Sequence, residues 1–169
     1  MLEKCRILYK GDMIAASFYL FVGMILLLFA CILYFFTLSL GYKFLSYGFF
    51  MFFLYSVGKG AVMYYIYSEK YKFYLKKTAM DRKAQATEIQ YTEYRIAKKN
   101  TNRRRYIWTL IISSVIAFLG IFSPSKAILM GTAIPIALIS GIELAVGMLT
   151  EFRLREFLRI LNKPLTHDH

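Results

Sequence analysis

The chain has 169 residues, of which 58% are hydrophobic, 18% aromatic and only 19% charged, yet its formal net charge is +12. Soluble globular chains run to about 45–50% apolar and about 25% charged residues, and the mean hydropathy of +0.47 points to a membrane as the solvent. These figures exclude a disordered chain and a disulfide scaffold, and they leave a soluble domain with too little polar surface.

Residues 1–12 carry Lys4, Arg6 and Lys10. Four apolar blocks follow along the chain, from about Met13 to Leu40, Phe44 to Tyr67, Tyr106 to Phe122 and Ala127 to Leu149. A spanning helix needs about 20 mostly apolar residues. A barrel strand needs about 9–11 in strict alternation, which these blocks lack. Helices satisfy their own backbone in lipid, so the sequence predicts an all-α polytopic membrane protein with four transmembrane helices. Gly41-Tyr42-Lys43 and Ser123-Pro124-Ser125-Lys126 read as minimal turns, pairing the spans into two hairpins over 13–67 and 106–149. The first span is too long for the apolar core of a cleavable leader, which is about 7–15 residues, and reads as a retained anchor.

Residues 68–105 hold twelve Lys/Arg against four acids, and residues 150–169 add Arg153, Arg155, Arg159 and Lys163. The two short turns hold only Lys43 and Lys126. This asymmetry places both termini and the middle segment in the cytoplasm by the positive-inside rule, the expected location being a bacterial inner (plasma) membrane. Glycine and proline are absent from residues 62–118, so the basic segment reads as helix continuing to Lys83 or beyond. Asn100-Thr101-Asn102 is its expected break, and Arg103, Arg104 and Arg105 are expected to face lipid headgroups at the start of the third span. Residues 151–161 read as an amphipathic helix, lying in the interface or packed on the middle segment and ended by Lys163-Pro164. His167 and His169 read as a frayed tail.

Small residues mark where helices approach in lipid. Ala133, Ala137, Gly141 and Ala145 recur every four residues in the fourth span, and Ala16, Gly23 and Ala30 recur every seven in the first; both read as packing stripes. Pro135 is a candidate kink or hinge, and Ser140 a candidate hydroxyl lining a path. Two ionisable residues lie well inside spans, Lys59 and Glu143. Each precedes the basic end of its span by eight residues, about 12 Å of helix, so the two share a depth and form a candidate intramembrane pair. It reads either as a bridge fixing helix register or as a polar site on an aqueous path.

Cys5 and Cys31 read as separate free thiols. The sequence holds no glycine-rich phosphate loop, no cluster of ligands at metal spacing and no nucleophile beside a histidine, so neither cofactor, metal nor enzymatic activity is expected. Basic residues interleaved with tyrosine would suit nucleic acid, but attraction to anionic headgroups accounts for them, and the bilayer is the expected partner. The leading expectation is a homo-oligomeric channel or pore subunit with a basic cytosolic collar. The alternatives are an accessory subunit of a larger membrane complex and a small transporter using Glu143. Over residues 69–163 the order helix, span, short turn, span and amphipathic helix is similar to the general plan of SLATT-type membrane effectors of bacterial defence, a likeness of plan without a shared motif, which implies an effector role.

Overall fold

Long runs without helix breakers produce long helices. A computed structural model describes residues 2–162; Lys163-Pro164, His167 and His169 lie outside the described residues. The fold is all-α, with α1 (Leu2–Phe36), α2 (Leu40–Lys76), α3 (Arg82–Gly120) and α4 (Lys126–Leu161). At 1.5 Å per residue each helix is roughly 50–60 Å long, well beyond the about 30 Å of bilayer hydrocarbon. Three of them, α1, α2 and α4, are long and apolar enough to cross a membrane. In α3 the uncharged stretch inside the helix covers residues 106–120, about 22 Å, and Arg103–Arg105 immediately precede it.

The turns differ from the sequence reading. The first lies at residues 37–39, so that Gly41 stands within α2. Thr37 folds its hydroxyl onto the Leu33 carbonyl, and Ser39 is extended and accepts the first helical bond from Lys43 N at 3.2 Å. The expected break at Asn100–Asn102 does not occur, because α3 runs straight through it. Thr101 Oγ1 donates back to Ala97 O at 3.2 Å and Asn100 Oδ1 accepts from Arg103 at 2.9 Å, so these polar side chains are satisfied without leaving the helix. The chain breaks instead at residues 77–81, where Arg6 donates to the carbonyls of Tyr74, Leu75 and Lys77 at 3.0–3.3 Å. That contact supplies both hydrogen bonds and positive charge to the carboxyl end of α2.

Sequential helices pack as two hairpins, α1 on α2 and α3 on α4, joined mainly by α2 against α4; α2 and α3 do not pack backbone to backbone. The inward face of α1 is Cys5, Tyr9, Asp12, Ala16, Tyr19, Gly23, Leu26 and Ala30, the alternating spacing of three and four that suits near-parallel helix packing. Ala16, Gly23 and Ala30 meet α2 there: a Cβ on Gly60 would stand 3.0 Å from Ala16 O, one on Gly23 2.9 Å from Val57 Cγ2, and Ser46 donates to Ala30 O at 2.8 Å. Gly48 and Gly131 bring α2 onto α4 near the turns, since a Cβ on Gly48 would stand 2.6 Å from Pro135 Cγ.

The fourth-span stripe is divided. Ala133 is buried, Ala137 and Gly141 are half-buried, and Ala145 is exposed. Steps of four residues advance about 400° around a helix, so the row drifts off the contact face by about 40° per step.

Two kinds of interior result. Between the turns and Lys59 the buried residues are mostly small or polar, while Phe21, Leu28, Phe50 and Leu54 point outward, the distribution expected where the outside is lipid. At the opposite, basic end Cys5, Leu8, Tyr9, Tyr74, Leu154, Phe157 and Leu161 form an apolar core. The amphipathic stretch 151–161 is thus the last three turns of α4, with its apolar side packed on α1 and α2.

Candidate functional site: a buried ion pair beneath a cation-lined cavity

Lys59 on α2 and Glu143 on α4 are in contact as an ion pair, with side chains 23% and 3% exposed. Tyr19 Oη donates to Glu143 Oε2 and Tyr55 Oη to Oε1, each at 3.1 Å. The Lys59 ammonium donates to both carboxylate oxygens and lies 4.5 Å from the centre of the Tyr19 ring. Two helices, α1 and α2, therefore supply the carboxylate on α4 with three donor groups. A charge pair out of water is stable only when its remaining hydrogen-bonding capacity is also met, and the two phenols meet it.

A cavity of about 270 Å³ between α2, α3 and α4 reaches this pair from the basic end. Five cations line it, Lys59, Arg95, Lys98, Lys99 and Arg103, against one acid, Glu143. Its walls also carry Tyr67, Tyr91, Tyr94 and Tyr106 with Asn102. Since α2 and α3 do not pack directly, the space between them is spanned by side chains alone. Away from the basic end, Gly48, Gly131 and Pro135 close α2 on α4.

Arg95 holds the centre of the wall. Its side chain is 9% exposed. Nη2 donates to Asp12 Oδ2 at 2.8 Å and to Tyr67 Oη at 3.1 Å, whereas Nη1 is buried with no partner. Burial is the largest influence and by itself disfavours the guanidinium charge, but Asp12, Tyr67 and Tyr91 together outweigh it and the group is held more firmly protonated than usual. Burial, and then the charge of Lys59, press Lys99 below the ordinary lysine range. The cavity cations thus crowd one another.

A second polar cluster lies nearer the basic end. Glu88, 3% exposed, accepts from Tyr9 Oη and, at 2.8 Å, from Tyr74 Oη. Both phenols are pushed well above the tyrosine range, by burial first and the Glu88 carboxylate next. Burial pushes the nearby Cys5 thiol up to about 11.

The other sequence candidates fall as follows. Ser140 is buried one turn from Glu143 but outside the cavity lining. Pro135 sits within an unbroken α4 and packs against Gly48. Arg104 and Arg105 are exposed, whereas Arg103 turns inward to Glu151 Oε2 at 3.2 Å, because its place on α3 faces α4. The sequence reading missed Arg95, Lys99, Asn102 and Tyr106 as one constellation. The available signal was their spacing: with Glu88 and Thr92 they repeat at alternating steps of four and three, the inward face of a packed helix. Among the described residues no three His, Cys, Asp or Glu side chains converge to hold a metal. Neither a protein-family model, nor a curated protein, nor a solved structure matches the chain.

Proposed function

We propose that this chain is a non-enzymatic, four-span integral membrane protein, with its basic end in the cytoplasm, and that it is the subunit of a homo-oligomeric channel. The observation that carries the reading is the nearly buried Lys59–Glu143 pair at the floor of a cation-lined cavity. In this reading the cavity is a vestibule that concentrates anions, and the ion pair with Tyr19 and Tyr55 is the constriction that closes it. The small-residue packing around Gly48 and Pro135 holds the far half shut. The third span is residues 106–122, extending the apolar half of α3 into the turn, with Trp108 exposed at its basic edge. Self-association draws support from α4, where a Cβ added at Gly141 would meet nothing within 4 Å and Ala145, one turn on, is exposed. That leaves a smooth strip on which a second copy can pack closely.

One observation favours a second reading, a small transporter using Glu143: the cavity reaches the pair from one end only, as an inward-open site would. A single experiment separates the two. Protein purified in detergent is sized by native mass spectrometry and then reconstituted for chloride and potassium flux. A defined oligomer that Gly141→Leu dissociates, with anion flux altered by Lys59→Met, supports the channel. A monomer or dimer whose flux follows an imposed proton gradient, and loses that coupling in Glu143→Gln, supports the transporter. Absence of flux from folded wild-type protein overturns both.

A further inference from the structure

The cavity has a property that neither conduction nor positive-inside topology requires, an unused donor on a buried cation. Most basic residues of a positive-inside segment stand in water. Arg95 does not: it is nine-tenths buried, fixed by Asp12 and Tyr67, and its Nη1 faces no acceptor. Buried donors without partners are rare, and one on a charged group costs more than one on a neutral group. Around the same cavity Lys98, Lys99 and Arg103 bring further charge, with Tyr91 and Asn102 supplying neutral donors. Glu143 is already committed to Lys59, Tyr19 and Tyr55. Arg103 is held by Glu151 and Asn100, but the rest of the wall offers several donors and an excess of positive charge, with no acid in the lining free to satisfy them.

We propose that this cavity is a binding site for a phosphate group, with Lys98 and Lys99 donating to its oxygens and Arg95 turning its buried Nη1 onto them, while Arg103, held by Glu151 and Asn100, adds positive charge. A phosphate presents three or four acceptor oxygens and one or two negative charges, matching an arginine fork flanked by ammonium groups. The volume of about 270 Å³ admits the phosphate with a small attached polar group and not a large one. Two sources carry that chemistry, an anionic phospholipid headgroup and a soluble phosphorylated molecule. The height of the cavity, level with Arg103–Arg105 at the edge of the apolar half of α3, suits a headgroup, and basic pockets between spanning helices are established headgroup sites in general. Lys70 packs over the Tyr91 ring at 3.8 Å and holds that wall in place. The site stands whether or not the protein conducts, and its test reads binding alone.

The test is thermal unfolding and native mass spectrometry of the full chain in detergent, with dimyristoyl phosphatidylglycerol, dimyristoyl phosphatidylcholine or inorganic phosphate added. Lys99→Gln removes one cavity cation that makes no ion pair. Lys83→Gln removes an exposed cation outside the cavity. The site predicts that phosphatidylglycerol stabilises the wild type and Lys83→Gln alike, and that its affinity falls at least tenfold in Lys99→Gln. Lys99→Gln should also melt higher than wild type when no phosphate is present, because the crowded cations then repel less. Stabilisation by phosphatidylglycerol and not by inorganic phosphate assigns the headgroup, and stabilisation by both, in competition, assigns a soluble phosphate. If neither stabilises the protein, or if Lys83→Gln and Lys99→Gln weaken binding equally, the proposal is overturned. Arg95→Lys is a second variant that retains the charge and loses the fork; affinity unchanged in it likewise overturns the role given to Nη1.

Discussion

Lys59 and Glu143 are separated by 84 positions in the chain and meet across α2 and α4 with the phenols of Tyr19 and Tyr55 closing the carboxylate. Removing one partner of a buried pair strands the other and costs about 3–5 kcal/mol, whereas replacing both with apolar residues is near neutral. Lys59→Met should therefore destabilise the protein by that amount, and Lys59→Met with Glu143→Leu should recover most of it. Unfolding of the four proteins of this cycle in mixed micelles measures the coupling, and additive losses would show that the pair contributes nothing as a pair.

The contact of Gly48 with Pro135 makes a different prediction. A methyl group on Gly48 would stand 2.6 Å from Pro135 Cγ and 3.2 Å from Gly131 O, and neither a ring nor a backbone carbonyl yields easily. Gly48→Ala should cost about 1–3 kcal/mol, the range for overpacking. Gly58, one face away, meets nothing within 4 Å, so Gly58→Ala should gain about 0.5–1 kcal/mol from helix propensity. Opposite shifts in melting temperature for these two substitutions are the readout, and equal shifts would contradict the packing described.

Glu88 is held by two phenols alone. Glu88→Leu leaves both buried hydroxyls without an acceptor, at about 1–3 kcal/mol each. Adding Tyr9→Phe and Tyr74→Phe to Glu88→Leu should restore stability, since polar groups removed together leave nothing unpaired. Denaturant unfolding of the single and triple variants checks this, and a triple variant no more stable than the single one would refute it.

Alkaline pH should loosen the same region. The Cys5 thiol moves from 9.0 to about 11, through burial first and the Glu88 charge second. Between those values the unfolded chain has released a proton that the folded chain retains, so stability falls as pH rises, by up to about 1.4 kcal/mol per pH unit for such a group. Tyr9 and Tyr74 act in the same direction above pH 10.0. In a Cys31→Ser background, iodoacetamide should leave Cys5 unmodified at pH 8 and react as the protein opens above pH 9. Rapid modification at pH 8 would show the thiol to be accessible.

Much of this architecture is legible along the chain. The apolar blocks announce helices, the absence of glycine and proline over residues 62–118 announces their length, and the equal depths of Lys59 and Glu143 put two opposite charges on one level. Punctuation was less legible. Gly41 and Asn100–Asn102 have turn-forming chemistry, yet both lie inside helices, because a glycine can serve close approach and an asparagine can bond within its own turn. The break at residues 77–81 depends on Arg6, nearly seventy positions upstream, and no local pattern contains that information.

The sequence by itself determined the helical class, the paired hairpins and the segregation of charge to one end, because hydropathy and helix breaking act over a few turns of a single chain segment. Only the tertiary structure decided which basic residues stand in solvent and which face inward. Arg95 and Lys99 look locally like Lys83 and Arg104. They differ because α2 and α3 stand apart while α4 closes behind them, leaving Arg95 buried with one donor unused. Burial of a charge depends on neighbours from distant segments, and here it turns part of an orientation signal into a site.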